Sequence, residues 1–108
     1  MAQISNAIRE KINRFSLLAR KQYPIEKILL FGSYAKGTNT ADSDIDIAVV
    51  VNAKDHLKRV EITAKLIHCA NQVDSIIEPK CIFGDEYKNY NKASILAEII
   101  NTSIEVRS

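Results

Sequence analysis

The segment that most restricts what this chain can fold into is Asp44-Ile45-Asp46-Ile47-Ala48-Val49-Val50-Val51. It opens in strict alternation and closes fully apolar, the pattern of a strand whose first residues carry one polar face. Residues i and i+2 of a strand point to the same side, so Asp44 and Asp46 share that face. Aspartate is disfavoured in strands, and two carboxylates held together raise each other's pKa unless a cation lies between them. Magnesium meets that need, because it takes one or two carboxylates and fills its other positions with water and phosphate oxygens. The plain alternative leaves both aspartates on a solvated strand face.

Upstream, Lys27-Ile28-Leu29-Leu30-Phe31 is a short apolar run stopped by Gly32, which reads as a buried strand. Residues 33–42 begin with enough chain for one helical turn, closed by Gly37, and continue as loop. Ten residues separate Ser33 from Asp44. They give room for a turn, a loop and a return along the sheet, so the second strand starts near the end of the first. A strand that ends in glycine and turns into a helix exposes backbone amides. Those amides, with the positive helix end and the Ser33 hydroxyl, can hold phosphate oxygens, and Gly32 permits close backbone approach. Alone, Gly-Ser after a strand is an ordinary turn. Beside Asp44 and Asp46 it becomes a phosphate cradle meeting metal carboxylates at one sheet edge. Lys36 is placed to touch a phosphate as a point charge; otherwise it is an exposed loop lysine.

The remaining elements follow from periodicity. Ile4, Ile8, Ile12, Phe15 and Ala19 recur at spacings of three and four, an amphipathic helix from about Gln3 to Gln22. Pro24 ends it. From Lys54 to about Asn71 the pattern is helical again, with Leu57, Val60, Ala64 and Ile67 expected inward. A third strand is expected over 76–83, at a sheet edge because Pro79 lacks an amide donor. Gly84-Asp85 offers a turn and a helix cap. Ala93 to Thr102 reads as a last helix with Ile95, Leu96, Ile99 and Ile100 on one stripe. The order αβαβαβα is an α/β (α+β) arrangement, a small mixed sheet of about three strands flanked by helices.

Composition narrows the class. A chain of 108 residues fits one domain, 1–108, with no room for a second. A net charge of +2 lacks the footprint of a dedicated nucleic-acid binder, so nucleic acid is not an expected partner. No apolar run approaches the ~20 residues of a membrane span. Charges at Arg9, Glu10 and Lys11 argue against a signal peptide, and a cytoplasmic protein is expected. Cys69 and Cys81 have no CxxC spacing or ligand-spaced histidine, and read as small buried residues in a reducing compartment. Arg9, Lys11 and Arg14 read as a solvated helix face, His56 and His68 as helix-surface residues, and Asp42 as a turn residue.

The stretch GSYAKGTNTADSDID resembles the signature of the nucleotidyltransferase superfamily typified by polymerase beta. It is most similar to the minimal nucleotidyltransferase branch, often paired with all-α HEPN proteins in toxin–antitoxin operons. Gly32, Ser33, Asp44 and Asp46 fit the family pattern of Gly-Ser, ten residues and Asp-x-Asp without gaps. Lys36 stands where arginine is usual, and Gly37 matches the glycine that follows. The resemblance extends through most of the chain, to an ending, SILAEIINTSIEV, similar to the closing helix and short tail of small members.

The resemblance implies magnesium-dependent transfer of a nucleoside monophosphate, AMP from ATP, to a hydroxyl, with release of pyrophosphate. Asp44 and Asp46 would hold the metal, and Gly32, Ser33 and Lys36 the phosphates. A third carboxylate from the third strand would ligate the metal or act as the base. Glu78 and Asp74 share parity in that segment. Glu78 lies deeper and is preferred, with Asp74 as the alternative. So short a chain has no second domain for an acceptor, and the implied acceptor is a hydroxyl on a HEPN-type partner. The resemblance is also compatible with a homo-oligomer. A rival of a different class is a non-catalytic antitoxin, a binding module that neutralises its partner by direct contact.

Overall fold

The computed structural model describes residues 4–107. The expected helix start at Gln3 and both ends of the expected 1–108 domain lie outside the described residues. Helix α1 spans Asn6–Arg20 and is capped by Ser5, whose hydroxyl accepts from the Ile8 amide at 3.3 Å. It buries Ile8, Ile12, Phe15 and Ala19. The helix ends four residues before Pro24. There the Arg20 side chain turns back to donate to the Ser16 hydroxyl at 2.9 Å and to the Ile25 carbonyl at 2.8 Å.

Strand β1 (Ile25–Phe31) leads into a single helical turn, α2 (Ser33–Lys36), and the chain returns as β2 (Ile45–Val51). A 3-10 turn at His56–Lys58 runs into α3 (Arg59–Val73), followed by β3 (Ile77–Phe83), α4 (Gly84–Lys88), α5 (Ile95–Thr102) and β4 (Ile104–Glu105). The sheet order is β3-β2-β1-β4. The apolar β2 lies in the interior, antiparallel to β1 and parallel to β3. Parallel neighbours need a long crossover, which α3 supplies. β3 lies at the edge, where the missing amide of Pro79 costs no ladder bond. Four strands form where about three are expected. The extra one, β4, has two residues paired with Leu29 and Leu30, too short to leave a periodic trace.

Strand parity divides the core. Ile45, Ile47, Val49 and Val51 pack with α1 and α3, including Phe15, Ile62 and Leu66. Ala48 and Val50 face the other way, with Leu29, Ile82 and Ile99 of α5. Asp46 has the second parity, so the sheet presents its carboxylate on the α5 side.

Helix α3 corrects one expectation. It buries Ile62, Leu66, Cys69 and Ala70, whereas the stripe expected inward, Leu57, Val60, Ala64 and Ile67, is exposed. The helix carries two apolar stripes on opposite sides, and the one rich in Ile62 and Leu66 meets the sheet. The first-helix cations differ too. Lys11 is half-buried rather than solvated, and its Nζ lies 2.7 Å from Asp74. Cys69 and Cys81 are buried free thiols.

Candidate active site

The turn after β1 is built around Gly32. Its φ of 73° lies in the region where a side chain is strained. A Cβ there would stand 3.2 Å from Asp46 Cγ and collide with its carboxylate oxygen Oδ2. Both the backbone twist and the space demand glycine. Gly32 thus lets the turn lie directly against the Asp46 carboxylate. The turn continues as α2, where the Lys36 amide donates to the Gly32 carbonyl at 3.1 Å. Gly37 closes it in the left-handed conformation, as the sequence predicts. The first amides of this turn have no acceptor within it. Ser33 stands at its head.

Sheet register brings the carboxylates together. Phe31 pairs with Asp46 across β1–β2, and Asp46 pairs with Glu78 across β2–β3. The parallel ladder is locked one residue earlier by the Ile45 amide, which donates to the Ile76 carbonyl at 2.8 Å. Asp44 precedes β2 and is exposed; Asp46 is half-buried. Burial, and then the charge of Asp44, push Asp46 above the ordinary aspartate value, while its hydrogen bond with Glu78 pulls it down. Glu78 is raised above the ordinary glutamate value by the Asp44 charge first, then by burial and the Asp46 charge. Its carboxyl is within hydrogen-bonding reach of both aspartates.

Asp74, the alternative third carboxylate, is engaged elsewhere. Its Oδ2 meets Lys11 Nζ at 2.7 Å, and its Oδ1 accepts from the Ile76 amide at 3.1 Å. The Lys11 hydrogen bond holds its pKa below the ordinary value. Asp74 is a structural cap on the strand entry, and Glu78 is the carboxylate that joins Asp44 and Asp46.

The three carboxylates are crowded, yet among the described residues no group of three or more His, Cys, Asp or Glu side chains forms a ready-made cage for an ion. The two observations agree if the edge is open. A hard cation such as magnesium draws only one or two ligands from protein and the rest from phosphate and water. The mutual crowding of Asp44, Asp46 and Glu78 and the glycine cradle against Asp46 fit such an ion.

A cavity of about 420 Å³ is lined by Asp46, Glu78, Phe31 and Lys80, with Arg59 and Thr63 of α3 on its far wall. A second, of about 350 Å³, is lined by Gly32, Lys36, Phe31 and Lys80, with Ile95 and Glu98 of α5. Phe31 and Lys80 belong to both, so the two cavities are neighbours. Sequence reasoning passed over Lys80 and Arg59. Lys80 carried a usable signal, since it shares parity with Glu78 two residues earlier. Arg59 carried none. Its guanidinium is aimed by the Cys81 carbonyl at 2.9 Å and by an ion pair with Glu86, both distant in sequence.

The model of the polymerase beta nucleotidyltransferase family matches residues 10–107. The chain belongs to this family. As a nucleotidyltransferase it is similar to "Putative protein adenylyltransferase MJ0141" of Methanocaldococcus jannaschii, 31% identical over 86 residues, which are 76% of this chain and 79% of that one. It is also similar to protein adenylyltransferase MntA of Shewanella oneidensis, 40% identical over 68 residues, covering 61% of this chain and 47% of that one. Among solved structures, a crystal structure of a toxin–antitoxin with AMP-PNP aligns with 93% of this nucleotidyltransferase and 73% of its own chain, at 26% identity and a TM-score of 0.56. The family and the nucleotidyltransferase fold anticipated from Gly32, Ser33, Asp44 and Asp46 are thereby established. Among the described residues no helix is long and apolar enough to cross a membrane.

Proposed function

We propose that this nucleotidyltransferase moves AMP from ATP, with magnesium, to a hydroxyl on a partner protein. The observation that carries the reading is the meeting of Gly32, Asp46 and Glu78 at one sheet edge, where a phosphate turn lies against crowded carboxylates. ATP is favoured by the AMP-PNP of the similar toxin–antitoxin structure, and a protein acceptor by relatives named protein adenylyltransferases. A HEPN-type all-α toxin is the partner this reading names, and the cytoplasm, where ATP is supplied, is its compartment.

The residues divide the work. Gly32, Ser33 and Lys36 hold the terminal phosphates and orient the triphosphate. Asp44 and Asp46 would hold magnesium, with Glu78 within reach of it, and the bound ion offsets the charge of carboxylates and triphosphate. Glu78 takes the proton of the acceptor hydroxyl. The freed oxygen forms a bond to the α-phosphorus. The bond from that phosphorus to its bridging oxygen breaks, and pyrophosphate leaves with the electron pair. A carboxylate placed beside the acceptor hydroxyl can act as its general base. Holding the reactants in line supplies most of the remaining acceleration.

Calorimetry with ATP and other nucleoside triphosphates, with and without magnesium, tests the nucleotide site. Binding is expected to require magnesium and to weaken at least about tenfold in Asp44→Asn/Asp46→Asn, the cost of losing a charge-assisted contact. Equal binding by wild type and the double variant would remove the metal role.

A further inference from the structure

A transferase that modifies a protein has to hold that protein beside its base, and this inference rests on the proposed reading to that extent. The outer face of α3 and the turn before it carry Leu57, Val60, Ala64 and Ile67 at spacings of three, four and three. Leu57 is 94% exposed, Val60 81% and Ile67 44%. These are three of the five large apolar side chains exposed among the described residues. Singly exposed apolar residues are ordinary, but a contiguous stripe marks a contact surface. The opposite side of α3 already fills the core through Ile62, Leu66, Cys69 and Ala70, so this stripe has no work left within the fold.

The stripe is connected to the reacting edge twice. On its flank, Arg59 and Thr63 line the cavity of about 420 Å³ whose other wall holds Asp46 and Glu78. At its end, Ile67 and Asn71 line a cavity of about 380 Å³ that also reaches Glu78. Gly32 and Lys36 line a different cavity, toward α5. Lys58, Lys65, Glu61 and Asp55 surround the stripe, a mixed polar rim around an apolar centre.

We propose that this stripe is the docking surface of the acceptor protein. The partner would lay an apolar helical groove along α3, covering Leu57, Val60 and Ile67, and present its hydroxyl to Glu78. Ridge-into-groove packing of helices has this form.

Two measurements in the native host test it. Val60→p-benzoylphenylalanine is irradiated in cells, with the same substitution at exposed Lys92 as the control, and the cross-linked protein is identified by mass. In parallel, α-labelled ATP marks the proteins that receive AMP. The expected result is that the protein cross-linked at position 60, and not at 92, is the labelled one. Val60→Glu should lower its labelling about tenfold or more, as loss of an interface anchor does, with ATP binding unchanged. A cross-link to a second copy of this chain, a cross-link to an unlabelled protein, or full labelling by Val60→Glu would each overturn the docking surface alone. Absence of label on any protein would overturn the proposed function, and with it this inference.

Discussion

Asp46 and Glu78 stand opposite one another on neighbouring parallel strands, and both are held above their ordinary pKa. An acid raised in the folded state binds protons that the unfolded chain has released. Its carboxylate therefore costs stability as pH rises from the unfolded value through the folded one, and the cost is complete above that window. Without metal at neutral pH, Asp46→Asn should raise the melting temperature while destroying nucleotide-site function. Thermal melts with and without magnesium check this, and magnesium should stabilise wild type more than the variant. A metal-free variant that melts lower than wild type would mean that Asp46 is held by contacts outweighing its crowding.

Gly32 is the position where the turn after β1 and the Asp46 carboxylate cannot both keep their places if a side chain is added. Gly32→Ala puts a methyl into the Asp46 carboxylate and asks alanine to hold a φ of 73°. With ψ at −151° this backbone lies in a region essentially reserved for glycine, and holding alanine there costs about 1–3 kcal/mol. The variant should remain folded by circular dichroism and lose magnesium-dependent nucleotide binding. Unaltered binding would show that the turn relaxes without moving Asp46.

The parts of this site legible in the sequence were those fixed by local geometry. Asp44 and Asp46 share a face because strand period is two, and Gly32, Ser33 and Gly37 mark a turn by their own backbone demands. The parts that were not legible depended on contacts between distant segments. Glu78 and Asp74 have the same parity, so periodicity alone could not separate them. Lys11, 63 residues away, takes Asp74, and the β2–β3 register gives Glu78 to Asp46. Helix α3 misled for a related reason. It has an apolar stripe on each side, and hydrophobic spacing does not say which one the sheet will cover. The two-residue β4 was invisible because two residues carry no period.

The Lys11–Asp74 pair makes a prediction of opposite sign to that of Asp46. The folded-state pKa of Asp74 is depressed by Lys11, so its contribution to stability is present above the unfolded value and is lost as pH falls through the folded one. Asp74→Asn should therefore lower the melting temperature at neutral pH, with the difference from wild type shrinking toward strongly acid pH. AMP transfer should stay within about twofold of wild type, since surface-type ion pairs carry little of the energy. A large loss of transfer at unchanged stability would return the third-carboxylate role to Asp74.

Glu78 carries the central claim, and AMP transfer measured beside nucleotide binding tests it most directly. Wild type and Glu78→Gln are given magnesium, α-labelled ATP and the labelled partner protein, while ATP affinity is measured separately by calorimetry. If Glu78 takes the acceptor proton, the variant binds ATP nearly as wild type does and transfers AMP about a hundredfold more slowly or worse, as loss of a general base typically produces. Transfer at the wild-type rate by Glu78→Gln would contradict the account.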